Sequence, residues 1–140
     1  MSPRDTRTGG VLESMILPAL KSGGYEYEKQ VHVGSRIGGR RHMVDVIAHK
    51  NSKKYLISLK WQQVGGTAEQ KVPFEVICLL QAVIDNGEVY EKAYLVLGGS
   101  GWSLRNFYTS GGLKKYLEYA EKVDVINLED FVARANKSLL

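Results

Sequence analysis

The sequence predicts an α/β fold in which a helix leads into three strands, a second helix and a fourth strand, with a further helix, strand and helix behind them. Three observations predict it: segments with apolar residues at helical spacing, short runs rich in β-branched and aromatic residues, and clusters of Gly, Asn and Ser between them. Val11, Leu12, Met15, Ile16, Ala19 and Leu20 recur on one helical face before Ser22-Gly23-Gly24, which predicts a helix over about 10–21. Tyr25 to Val33 alternates and then meets Gly34 and Gly38-Gly39, so it reads as a half-exposed strand feeding a flexible basic loop. The runs HMVDVIAH and YLISLKW flank a polar stretch in which Asn51 and Ser52 suit a turn, predicting an antiparallel hairpin. Thr67 offers an N-cap with Gln70 as its capping-box partner, ahead of Val72, Val76, Ile77, Leu79, Leu80, Val83 and Ile84. That pattern predicts a helix over about 68–85, with Pro73 leaving its start open. Ala93 to Leu97 is a short apolar strand, followed by the Gly98-Gly99-Ser100-Gly101 loop, a helix around 111–121, a strand from Val123 to Ile126 and a last helix with Asn127 as N-cap.

A length of 140 residues with 44% hydrophobic and 24% charged residues is expected to make one domain over 1–140, its core at about 10–98 and a C-terminal extension at about 99–140. There is no apolar run of about 18 residues, and the opening MSPRDTRTGG is polar, so a soluble, cytoplasmic protein with no membrane partner is expected. Cys78 lies alone in an apolar helical stretch and reads as a buried small hydrophobe, which excludes disulfides and cysteine-ligated zinc. Charge is uneven: residues 1–60 hold eleven Lys/Arg against five Asp/Glu, a net +6, whereas 61–140 hold eight against ten, a net −2. Between Arg36 and Lys60 seven basic residues face one acid, Asp45, which points to a polyanionic partner or to a solvated hairpin that happens to be basic.

The acid itself is out of pattern. Asp45 interrupts an apolar strand, and an uncompensated buried carboxylate is costly, so it should be paired or hold a metal. On the next strand Ser58 and Lys60 share a face with Leu56, while Ile57 and Leu59 face the other way. An ion pair of Asp45 with Lys60 is one reading. Glu75 sits on the apolar face of the second long helix, and Glu13 beside that of the first, Glu13 reading equally well as a helix-edge acid. Carboxylates converging on a lysine would make a Mg²⁺ site, with Mn²⁺ as a substitute: hard oxygens hold the cation, and the lysine orients water beside a phosphate.

On these residues the chain resembles the PD-(D/E)XK nuclease superfamily over about 10–98. Val44-Asp45-Val46 is similar to its first half-motif and Ser58-Leu59-Lys60 occupies the second, with Ser58 where the family carries an acid. Some restriction endonucleases of the family move that acid to the following helix about fourteen residues beyond the lysine; Glu75 is fifteen beyond Lys60, and Glu69, the rival at nine, suits an exposed role in the helix's first turn. Glu13 corresponds to a first-helix acid of resolvase-like members. The resemblance implies a restriction endonuclease-like core with a mixed central sheet flanked by helices, and a Mg²⁺-dependent endodeoxyribonuclease. Its catalytic residues would be Asp45, Lys60, Glu75, Glu13 and Ser58, and its metal ligands Asp45, Glu75 and Glu13. Arg36, Arg40, Arg41, Lys53 and Lys54 are the expected phosphate contacts. Gln62 and Gln63 read either as ordinary loop residues or as further contacts to DNA. Cleavage of both strands calls for two sites, so a homodimer or higher homo-oligomer is expected.

A type II restriction-like or other site-specific endonuclease leads these readings; a Holliday-junction resolvase or repair nuclease, and a non-catalytic DNA-binding module, are the alternatives. His32, His42 and His49 share no ligand spacing and read as surface or DNA-facing residues. Trp61 and Trp102 read as packing residues. The Gly98–Gly101 loop lacks the glycine spacing and lysine of a P-loop, and Ser14, Ser58 and Ser103 have no nucleophile elbow around them.

Overall fold

The computed structural model describes residues 7–140; the first six residues of the polar opening segment lie outside the described residues. Five strands form one mixed sheet in chain order, β1 (Glu26–Ser35), β2 (Arg41–Lys50), β3 (Lys53–Trp61), β4 (Lys92–Gly98) and β5 (Val123–Asn127). The first three pair antiparallel and the last three parallel. The β2–β3 hairpin closes on the Lys50–Lys53 pair through Asn51 and Ser52, both at positive φ (53° and 67°), the two-residue geometry whose twist matches that of the strands. A parallel return needs a crossover, and α3 (Ala68–Asp85) supplies it between β3 and β4. The expected restriction endonuclease-like α/β core is therefore present.

Helices cover both faces of the sheet. The described residues begin with α1 (Arg7–Val11), which widens to a π-helical turn over Leu12–Ile16 and continues as α2 (Leu17–Ser22). Leu12, Ile16 and Leu20 from this stretch, with Phe131 and Ala135 of α5 (Leu128–Asn136), pack on Ile57, Leu59, Tyr94 and Val96. The other face packs Leu56, Leu95 and Leu97 against Val72, Val76, Leu79 and Val83 of α3. Burial of Ile57 and Leu59 on one face and Leu56 on the other places Ser58 and Lys60 on the α3 side, as their spacing predicts.

Two local expectations fail for physical reasons, and a third feature, Pro73 inside the expected helix, is accommodated. The helix expected at 111–121 is replaced by α4 (Arg105–Thr109) and two 3-10 turns, Gly112–Lys115 and Ala120–Lys122. Gly111 and Tyr119 adopt positive φ (84° and 58°), which no α-helix continues through, and the chain folds back so closely on Phe107 that a Cβ at Gly112 would meet its ring at 2.5 Å. Thr67 precedes α3 without a side-chain cap, because its φ/ψ of −82°/−8° is helical rather than extended. Pro73 lies inside α3 and cannot donate to the Glu69 carbonyl four residues back; the Tyr108 hydroxyl does so instead, at 2.7 Å. No helix among the described residues is long and apolar enough to cross a membrane.

Candidate active site

The sheet comes apart at Asp45. The β1–β2 ladder pairs Lys29 with Val46 and Val31 with Val44 but skips Gln30 and Asp45 between them, with Gln30 at φ 54°, and its register shifts only further on, between His32 and Ser35. On the other side the β2–β3 ladder runs from Lys50–Lys53 to Val46–Ile57 and stops before Asp45. Into this gap the Asp45 carboxylate accepts a hydrogen bond from the Leu59 N–H at 2.7 Å, replacing a ladder bond with a side-chain bond. An acid that breaks an apolar strand is thereby fixed to the next strand, one residue from Lys60.

A cleft of about 630 Å³ opens over the break, lined by Asp45, Ser58, Leu59, Lys60, Glu75 and Arg36 among others, with Thr8, Gly9 and Gly10 of α1 on its rim. Glu75 reaches it from α3 with its side chain 12% exposed, and its Oε1 accepts from Arg36 Nη2 at 2.5 Å and lies 3.7 Å from Lys60 Nζ. Two flanking cations offset the desolvation that a mostly buried carboxylate suffers. Asp45, Lys60 and Glu75, drawn from β2, β3 and α3, are thus brought together, with Ser58 beside them. Two carboxylates and two cations leave the cleft near electroneutrality. A pair of hard carboxylates in a solvent-open cleft fits a Mg²⁺-like cation, which takes one or two protein carboxylates and keeps waters. Among the described residues no three His, Cys, Asp or Glu side chains gather as a ligand set.

Other expected residues lie elsewhere. Glu13 is exposed, outside the cleft lining, and paired with Lys29 at 2.7 Å, which holds the lysine's pKa above its ordinary value. Glu69, expected to be exposed, is buried at 7%: it accepts from the backbone N–H and, at 2.7 Å, from the hydroxyl of Ser103, and these bonds keep its carboxyl below the usual range. Gln62 is turned inward, donating to the Gly101 carbonyl at 2.7 Å, while Gln63 stays exposed beside Ser100. His42 is buried rather than on the surface, and burial together with the Arg36 charge lowers its pKa; His32 is exposed, and His49 lies 3.4 Å from Glu26. Trp102 is buried with its indole N–H on the Gly98 carbonyl at 2.7 Å, and Trp61 packs against the α2–α5 side while lining the cleft.

The basic segment divides. Arg40 and Arg41 are exposed where β2 begins, at the cleft end of the sheet. Lys53 and Lys54 start β3, roughly 20 Å before Lys60 at the rise of a strand. Lys50 is committed to the fold, donating to the Gly23 carbonyl at 2.8 Å and to Ser138 at 2.5 Å.

Sequence reasoning missed the brace under the site. The loops leaving the parallel strands β3 and β4 pack so tightly that a Cβ at Gly99 would lie 2.4 Å from the Gln62 carbonyl oxygen and one at Gly101 2.6 Å from the Val64 backbone. Those glycines serve loop-on-loop contact, and Glu69 ties the same loop to α3. The glycine run was the visible signal; its partner strand was not. Cys78 is buried, as expected, with its Sγ 3.7 Å from Arg36 Nη2.

A family model described as a PD-(D/E)XK nuclease superfamily domain matches residues 4–139. Among solved structures the chain is similar to the crystal structure of a protein of unknown function, AF1548, at a TM-score of 0.47 and 14% identity over 80% of this chain. The match covers 54% of that structure, so this chain spans about half its length. No curated protein matches the sequence.

Proposed function

The chain belongs to the PD-(D/E)XK nuclease superfamily, and we propose that it is a divalent-metal-dependent DNA endonuclease in which Asp45 and Glu75 hold the cation and Lys60 orients the attacking water. The observation that carries this reading is the break in the sheet: Asp45 is pinned to Leu59, and Lys60 and Glu75 line the same cleft. When bound, a Mg²⁺-class ion supplies Lewis-acid stabilisation of the scissile phosphate and of its bound water. The chain's own residues do the rest. The Leu59 N–H fixes the Asp45 carboxylate, and Lys60 Nζ, which has donors and no acceptor, directs a water's oxygen toward phosphorus and offsets charge on the phosphate. Arg40 and Arg41, exposed at the cleft end, meet the flanking backbone phosphates.

With Ser58 in the motif's acid position, Glu75 is the second acid, the arrangement that favours a type II restriction-like or site-specific enzyme acting as a homodimer. Ser58 also carries the second reading, a DNA-binding module without chemistry. Plasmid incubated with Mg²⁺ and either parent or Lys60→Ala separates the two. The endonuclease reading expects nicking or linearisation by the parent and a loss of about 10²–10³-fold in the variant, as for removal of one electrostatic group. Retardation of DNA with no cleavage by either protein supports the binding module. A four-way junction cut in preference to a linear duplex assigns a resolvase instead.

A further inference from the structure

We propose that Arg36 is a built-in placeholder for the cation: it holds Glu75 in the metal-free protein and must release it before a divalent ion binds. The inference rests on the reading of Asp45 and Glu75 as the ion's ligands. Arg36 does not behave as a surface arginine awaiting phosphate. Its Nη2 lies 2.5 Å from Glu75 Oε1 and 3.7 Å from Cys78 Sγ, and its guanidinium carbon sits 5.5 Å from the centre of the Phe74 ring. Three contacts on α3, to Phe74, Glu75 and Cys78, from a residue in the β1–β2 connection describe a docked side chain. The hydrogen bond to Glu75 raises its pKa above an already high value, so it stays charged.

Charge explains why such a residue belongs there. Asp45 and Glu75 face each other's field across one cleft, and two carboxylates without a cation repel and pay desolvation. Arg36 and Lys60 bring the charge of the four groups to zero, so the site is stable when empty of metal. A divalent ion on the same carboxylates takes the total to +2, which favours departure of Arg36 and arrival of a phosphate. The turn that carries Arg36 is closed by its own backbone, Arg36 N–H donating to the Arg40 carbonyl at 2.7 Å and Gly39 N–H to the Arg36 carbonyl at 2.9 Å with Gly38 and Gly39 at φ of 97° and 90°, so release of Glu75 needs only rotation of the long Arg36 side chain about its own bonds. Released, Arg36 joins Arg40 and Arg41 on the DNA side of the cleft. Metal binding and phosphate binding are then coupled through one side chain, and linkage makes the coupling reciprocal.

The test is Mn²⁺ binding by the full chain without DNA, followed by calorimetry and by Mn²⁺ spin resonance, for the parent, Arg36→Gln and Asp45→Asn. A placeholder predicts that Arg36→Gln binds Mn²⁺ about ten-fold more tightly than the parent, the fold-change that follows from sparing roughly 1.4 kcal/mol of a part-buried charged hydrogen bond. Asp45→Asn should abolish the site and so locate the isotherm in the cleft. Equal or weaker binding by a folded Arg36→Gln would overturn the placeholder and make Arg36 a residue that merely positions Glu75, leaving the metal site intact. Mn²⁺ binding unaffected by Asp45→Asn would instead overturn the assignment of the ligands, and the placeholder with it. Should Arg36→Gln fail to fold, Arg36→Lys, which keeps the charge without the planar fork, is expected to weaken the hold on Glu75 and bind Mn²⁺ between the two limits.

Discussion

Asp45 carries two roles that substitution can separate. Its carboxylate would hold the cation, and its oxygen also accepts from the Leu59 N–H where the β2–β3 ladder has ended. Asp45→Asn keeps an acceptor oxygen and loses the charge; Asp45→Ala loses both. Leu59 is 4% exposed, so its N–H, deprived of its acceptor, has little water to turn to. An orphaned buried donor costs about 1–3 kcal/mol, whereas exchanging a charged acceptor for a neutral one costs roughly half of a charge-assisted bond, about 1 kcal/mol. Asp45→Ala should therefore be less stable than Asp45→Asn by up to about 2 kcal/mol, which at roughly 2–4 °C per kcal/mol for a chain of this size is up to about 8 °C in Tm. Both should lose Mg²⁺-dependent cleavage. Thermal melts followed by circular dichroism, beside plasmid cleavage, read the two roles on the same preparations. Equal melting of the two variants would refute the pinning role, and parental cleavage by Asp45→Asn would refute the ligand role.

Further outcomes follow from other contacts. The bonds from Ser103 hold the Glu69 carboxyl below its ordinary 4.5, so this residue contributes stability that is present above that pH and lost as pH falls through its lower folded value; Glu69→Gln should flatten the acid limb of a Tm-versus-pH curve, and an unchanged limb would contradict the assignment. Tyr108→Phe leaves the Glu69 carbonyl facing Pro73 with no donor and should cost about 1–3 kcal/mol in urea unfolding, with the loss absent if α3 is relaxed by other means. Arg40→Gln with Arg41→Gln should lower the slope of log affinity against log salt by about 1.8, two phosphate contacts' worth, and by more than Lys53→Gln with Lys54→Gln, since the lysines lie at the far end of the strand. A larger drop in the lysine pair would reverse the orientation of DNA on the sheet.

What the sequence made legible was governed by period. Alternation in YLISLKW placed Ser58 and Lys60 on one face, and helical spacing bounded α3 at 68–85, because burial on a patterned surface leaves its mark in consecutive residues. Asp45 and Glu75 stood out as charges breaking those patterns. What stayed hidden depends on partners distant in the chain. The burial of Glu69 is decided by Ser103 and Leu104, and the tolerance of Pro73 by Tyr108, none visible from the local window. The expected 111–121 helix does not form because Gly111 and Tyr119 set a left-handed backbone near its two ends, a conformation that the local window does not announce. Arg36 was grouped with surface arginines because composition counts charge without direction, whereas the fold aims it at Glu75.

The central claim is that the acid missing at Ser58 is supplied from α3 by Glu75. Rates of supercoiled-plasmid nicking in Mg²⁺ by the parent and by Glu75→Gln, with circular dichroism confirming that the variant is folded, test it most directly. The account predicts nicking by the parent and its loss, by about 10²-fold or more, in the variant; nicking by Glu75→Gln at the parental rate would contradict it.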